Sequence, residues 1–170
     1  MHQVCLPRHP NMKNLGEILI RPAKAGDENG ILRCLAEAFG PYRTEYTSQA
    51  FADTVLEGPT LAARMQSMYV IVASSAGEIV GTVAGSLADS EGHLRGMAVL
   101  PKLRGTGLAG ALLKAIEFWL KDQGCRRVTL DTTLPLSAAM KFYENNGYRK
   151  SGQITDFFGM PLVEYVKELN

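Results

Sequence analysis

Apolar and polar positions alternate over Glu17–Ala23 (EILIRPA), which predicts a strand, and the period then changes. Ile31, Leu32, Leu35, Ala38 and Phe39 fall on one helical face, with Asp27 placed to cap the helix and Gly40-Pro41 to end it. From Tyr42 to Gln66 the pattern weakens into short helical pieces around an expected break at Gly58-Pro59. SMYVIVASS and GEIVGTVAGSLAD then predict two strands joined by a tight turn at Ala76-Gly77. A third strand, HLRGMAVLP, follows the polar turn Ser90-Glu91-Gly92, so the three form a meander.

After Gly107, the spacing of Leu108, Leu112, Leu113, Ile116, Trp119 and Leu120 draws one apolar stripe along a helix that stops near Gly124. RRVTLDTT predicts a strand, LSAAMKFYENNG a helix ending at Asn146-Gly147, and YRKSGQIT and MPLVEYVKEL two closing strands. The order implies an α/β domain, a mixed sheet with helices packed on it.

Composition narrows the picture. A chain of 170 residues, 46% hydrophobic and 21% charged, supports one domain, expected over 17–170 behind a flexible leader over 1–16. The sequence leaves open whether Met1 or Met12 is the first residue. The 18 basic residues nearly cancel the 17 acidic ones, leaving +1, so no global field recruits nucleic acid or an anionic membrane. Any anion affinity must be local. Cys5, Cys34 and Cys125 stand singly, without a CxxC pair or a histidine cluster, which argues for a reducing, cytoplasmic setting and against a metal site. No apolar run approaches the roughly 20 residues of a membrane helix.

The local anion site is expected where the third meander strand runs into the long helix through LRGTGLA. Backbone N–H groups at a helix start lack intrahelical partners, point one way and are reinforced by the helix dipole. Gly105 and Gly107 remove side chains that would block a phosphate, and Arg104 and Lys102 add positive charge. A tight structural turn would use the same glycines, so this turn alone does not decide. The stretch has neither the GK[ST] ending of a triphosphate loop nor a GxGxxG.

The pattern [QR]-x-x-G-x-[GA], here Arg104 to Ala109 after MAVLPKL, resembles the coenzyme A motif of the GNAT acetyltransferase superfamily. AAMKFYENNGYRK is similar to that family's second signature, an alanine-led helix that carries a tyrosine and ends at Gly-Tyr. The resemblance is motif-specific from Leu94 to Tyr148. It implies a sheet of six or seven strands flanked by about four helices, with acetyl-CoA as cosubstrate in a cleft where two strands splay apart. It also implies Met97 and Val99 as backbone partners of the pantetheine arm, and Arg104, Gly105, Thr106, Gly107, Leu108 and Ala109 as the pyrophosphate cradle.

The implied reaction is direct attack by an amine on the thioester, which needs a neutral amine, oxyanion stabilisation and a proton for the departing thiolate. Tyr143 matches the family's acid. For the base, Asp89, Glu91 and His93 cluster at the start of the strand, and Glu91 is selected. Where many members carry a cofactor-binding asparagine, this chain has Leu136, with Ser137 beside it as a substitute. Thr132 and Thr133 are placed to meet cofactor or acceptor, or to cap the following turn. The acceptor, a primary amine of a small molecule or peptide, is expected between Tyr42–Gln66 and the last two strands. That segment offers Tyr42, Arg43, Glu45, Tyr46 and Glu57. Phe157 and Phe158 line the cleft or form a homodimer contact. Two other readings are a regulatory module that binds an acyl-CoA without turnover, and an interaction domain with no cofactor.

Overall fold

The computed structural model describes Val4–Cys5 and residues 17–170. The leader expected over 1–16 lies outside the described residues, apart from Val4–Cys5 (β1), whose backbone pairs with Ile20 and Leu19. In chain order there follow β2 (Ile18–Pro22), α1 (Glu28–Phe39), α2 (Ser48–Val55), α3 (Gly58–Ser67), β3 (Tyr69–Ser75), β4 (Glu78–Ala88) and β5 (Glu91–Val99). Then come α4 (Leu108–Asp122), β6 (Arg127–Thr133), α5 (Ser137–Asn145), β7 (Arg149–Phe157) and β8 (Met160–Glu168).

One sheet runs β1-β2-β3-β4-β5-β6-β8-β7. All neighbours are antiparallel except β5 and β6, which run parallel. The meander turns as expected: Ala76 and Gly77 both take positive φ, 48° and 81°, the geometry of a two-residue hairpin whose twist matches its strands. Every residue of β4 from Ile79 to Gly85 is buried, so the strand is covered on both faces. Helices α1 and α4 supply the cover.

Helix α4 seats on the sheet because glycines lie beneath its apolar stripe. A Cβ at Gly81 would stand 2.8 Å from Leu112, one at Gly85 3.0 Å from Ile116, and one at Gly92 3.1 Å from Leu120. Those three side chains recur every fourth residue, one helical row lying in one groove.

Three local expectations are corrected. Gly58-Pro59 is not a break but the first turn of α3, where proline's missing N–H would find no partner anyway. Asp27 precedes α1 without capping it; its carboxylate turns back to accept from the Lys24 N–H at 2.8 Å and from the Arg21 guanidinium at 2.6 and 2.9 Å. Glu91 opens β5 instead of lying in the turn before it, Asp89 taking the positive φ of 55°. Cys34 joins the buried face of α1, and burial pushes its thiol up to about 12. Among the described residues no helix is long and apolar enough to cross a membrane.

Candidate active site

Strands β5 and β6 pair only over Glu91–Leu94 and Arg127–Leu130. Beyond Leu94 they part, and the gap opens into two chambers that share Phe39, Asp131, Thr132 and Leu136 as walls.

The first chamber, about 410 Å³, runs from β5 to the start of α4 and the side of α5. Met97 and Val99 line it from the part of β5 that has left its parallel partner. Arg104, Gly105, Gly107, Leu108 and Ala109 line it at the strand-to-helix turn, joined by Gly110. Gly105 and Gly107 take φ of 76° and 87°, and a Cβ at Gly105, Gly107 or Gly110 would meet nothing within 4 Å. The glycines therefore leave real space on the side where the helix begins.

Not every amide of the turn is free to meet a ligand. Leu103, Arg104 and Thr106 spend their N–H groups inside the turn, on the carbonyls of Leu100, Pro101 and Leu103. The N–H groups of Gly105, Gly107, Leu108, Ala109 and Gly110 have no internal partner among the described residues. Thr106 does not line the chamber; its hydroxyl donates to the Leu103 carbonyl at 2.7 Å and staples the turn. Arg104 lines the chamber, but its Nη2 is committed to the Ala38 carbonyl at 2.9 Å, at the end of α1. Lys102 faces Glu78 at 3.4 Å instead of the cradle. Ser137 is exposed at the start of α5 and lines neither chamber, so it does not replace an asparagine at position 136. Leu136 itself is part of the shared wall.

Tyr143 reaches the first chamber from α5, 8% exposed. Its ring is held edge-on between Phe142 and Tyr148 and lies tilted against Tyr165. Burial pushes its phenol well above the ordinary range, so it keeps its proton throughout neutral pH. Thr132 is 3% exposed and lines both chambers, and its buried hydroxyl has no hydrogen-bond partner among the described residues. A buried hydroxyl left alone in this way costs stability unless a ligand completes it.

The second chamber, about 320 Å³, is lined by residues of α2, α3, β5 and β6, with Phe157 of β7 and Leu162 of β8. His93 and Asp131 stand across it with Nε2 and Oδ2 3.5 Å apart, while His93 Nδ1 lies 2.9 Å from the Thr129 hydroxyl. Burial lowers the His93 pKa, opposed by Asp131; burial raises that of Asp131, opposed by His93. Tyr46 bonds Thr133 at 2.6 Å, and Arg95 bonds Asp53 at 2.9 Å. Thr47 donates to the Phe158 carbonyl at 2.9 Å and so ties α2 to the β7–β8 turn, Phe157 lining the chamber and Phe158 lying outside it.

Glu91, expected as the base, is corrected: it lines neither chamber, and its exposed carboxylate lies 3.8 Å from Arg127. Alternation explains the outcome, since His93 stands two residues further along the same strand face, where the cleft begins. Of the acceptor candidates, Tyr46 lines the second chamber and Tyr42 the first; Arg43, Glu45 and Glu57 line neither. Arg64, Arg95 and Asp131 carry chamber chemistry that the sequence reading passed over. A lone carboxylate inside the strand RVTLDTT was a legible signal for Asp131, whereas nothing local marks Arg64.

Solved structures share this fold. The coenzyme A complex of PaiA N-acetyltransferase from Thermoplasma acidophilum superposes with a TM-score of 0.74 at 18% identity, covering 89% of this chain and 99% of that one. The ribosomal-protein-S18-alanine N-acetyltransferase of Escherichia coli superposes with 0.73 at 16% identity, covering 89% and 93%. In sequence, an uncharacterized N-acetyltransferase of Methanocaldococcus jannaschii is 34% identical over 87 residues, 49% of this chain and 56% of that relative. The present chain thus matches little more than half of that relative's length. The family model of the acetyltransferase (GNAT) family matches residues 30–148, and the chain belongs to that family. Acetyl-CoA is the family's cosubstrate.

Proposed function

We propose that this chain is an acetyl-CoA-dependent N-acetyltransferase whose acceptor is a primary amine. The observation that carries the reading is the meeting of the two chambers at Asp131 and Thr132: an amide-lined anion cradle opens at one end and a histidine–carboxylate pair stands at the other. The first chamber fits the coenzyme, because its glycines leave open space and five amide protons there lack partners among the described residues. Gly105 and Gly107 to Gly110 would hold the diphosphate, and Met97 and Val99 would flank the pantetheine arm. When bound, acetyl-CoA supplies an acetyl thioester as the electrophile.

The residues divide the proton work. The Thr129 hydroxyl donates to the Gly92 carbonyl at 3.3 Å, so its oxygen accepts from His93 Nδ1–H and leaves the Nε2 lone pair free. Nε2 takes the proton of the incoming ammonium, and the Asp131 carboxylate stabilises the resulting imidazolium. At the other end Tyr143 holds a proton on its phenol oxygen for the departing sulfur. A raised pKa suits an acid and a lowered one suits a base, so the two shifts set their roles apart.

Calorimetry with acetyl-CoA and a thiol-release assay over a panel of amines test the reading. Wild type should bind the thioester and release thiol with at least one amine. Gly107→Val should abolish binding, because its side chain would enter the cradle at a positive φ. Thioester binding without turnover of any amine would leave a coenzyme-binding module; absence of binding would remove the proposal altogether.

A further inference from the structure

The second chamber carries a cation that the acetyl-transfer chemistry does not use. Arg64 reaches in from α3, half-buried, and its guanidinium makes no hydrogen bond or ion pair among the described residues. Its one neighbouring cation, Arg95, is neutralised by Asp53 at 2.9 Å. Burial, then the Arg95 charge, brings the Arg64 pKa down to about 10, and the nearby Asp53 charge acts the other way. Guanidinium is rarely left desolvated without an acceptor, since its five donors then go unmet.

The backbone is shaped around this group. Gly96, at φ 62° on the irregular stretch of β5, has the Arg64 guanidinium directly above it: a Cβ there would lie 2.5 Å from Nη1 and 3.7 Å from Cζ. The glycine therefore admits the arginine to the wall of the cleft.

Charge is polarised across the chamber. Asp131, with neutral His93, stands at the β6 side, while the spare positive charge of Arg64 stands against β5 and α3. A plain alkylamine would satisfy Asp131 and leave Arg64 bare. A dianionic head would overcompensate Arg64 in a chamber that already holds Asp53 and Asp131. A chamber of about 320 Å³ has room for a group of amino-acid size.

We infer that the acceptor is a small amine that also carries a carboxylate, with the ammonium at His93 and Asp131 and the carboxylate paired in fork fashion with Arg64. The inference rests on the acetyl-transfer reading above. It names Arg64 as the residue that selects the acceptor, and Gly96 as the position that gives it room.

The test uses the full chain, with straight-chain ω-amino acids of two to six carbons and a set of α-amino acids, each beside its methyl ester. Wild type should favour at least one acid over its ester by tenfold or more in kcat/KM. Arg64→Gln should lower that acid's kcat/KM by tenfold or more, chiefly through KM, and leave the ester within about twofold. Because the replaced charge is desolvated and unpaired, Arg64→Gln should also unfold at a higher urea concentration than wild type, which shows that lost activity is not lost folding. Equal losses for acid and ester, a preference for esters, or a preference for an aminoalkylphosphonate over the acid would each overturn the inference while acetyl transfer stands. If acetyl-CoA does not bind or no amine is acetylated, the earlier reading fails, and calorimetric titration of the acids into the free protein decides this one. Binding weakened tenfold or more by Arg64→Gln upholds it; equal binding by the two proteins, or none by wild type, ends it.

Discussion

In the proposed mechanism Tyr143 and His93 divide one proton inventory between two chambers, and their environments differ in ways that kinetics can read. Tyr143→Phe keeps the ring packed between Phe142 and Tyr148 and removes one oxygen. We expect kcat to fall about 100-fold with coenzyme affinity within twofold, the range for loss of a general acid. Burst and steady-state thiol release, with calorimetry beside them, check this. His93 must be neutral to act. Burial lowers its pKa, while Asp131 on β6, Glu91 on β5 and Glu164 on β8 raise it and Arg95 lowers it. The net shift is downward, so kcat/KM should rise with pH through a midpoint below the ordinary histidine value of about 6.5. The Tyr143 shift is upward, so no alkaline fall from that group is expected before about pH 10. Asp131→Asn should bring the midpoint lower still, since it removes the carboxylate that favours the charged imidazole.

At the scale of elements, the contact between α4 and the sheet depends on the absence of side chains at Gly81, Gly85 and Gly92. Gly81→Val would put its first carbon 2.8 Å from Leu112 and 3.3 Å from the Ala98 carbonyl. We expect a loss of about 1–3 kcal/mol, measured as a lower urea midpoint. Because α4 also begins the proposed cradle, coenzyme affinity should fall with it. Most elements were legible because their periods are clean: the stripe Leu108–Leu120 predicts α4, and the β-branched run of Tyr69–Ser75 predicts β3. The turn at Arg104–Ala109 was legible as a helix start, but not which of its amides are spent internally. That depends on how Pro101–Leu103 coils before the helix, which no residue pattern encodes. The sequence pattern starts β5 two residues late, at His93, and so does not show that Glu91 stands on the strand before the cleft opens. The acceptor chamber was the least visible part, since Arg64, Arg95 and Asp131 come from three elements brought together only by the sheet order and the seating of α3.

For the whole molecule, the larger acid-sensitive contact is the join between β2 and α1. The Arg21 guanidinium, whose hydrogen bonds are the largest influence, holds the Asp27 carboxyl below its ordinary range in a site where Asp27 is 7% exposed. A depressed carboxyl contributes its stability above the unfolded value of about 3.9 and loses it as pH falls through the folded value. Urea midpoints taken from pH 7 down to pH 2 should therefore show a loss below about pH 4 that Asp27→Asn removes. At pH 7 that variant should be destabilised by about 3 kcal/mol, because Arg21 is left facing a neutral amide. The histidine adds a second, milder limb. Its folded pKa lies below its unfolded one, so its contribution is full above about pH 6.5 and declines as pH falls from there.

The Arg104–Ala38 bond has a kinetic consequence. Ala38 is followed by Phe39, a wall of both chambers, so the turn proposed to hold the diphosphate and the chamber proposed to take the amine hang from the same helix end. We expect such a tether to make the two substrates mutual effectors, whichever arrives first tightening the other by the same factor in either order. Double-reciprocal plots should then intersect left of the ordinate and above the abscissa, and cutting the tether with Arg104→Met should bring the crossing point down to the axis.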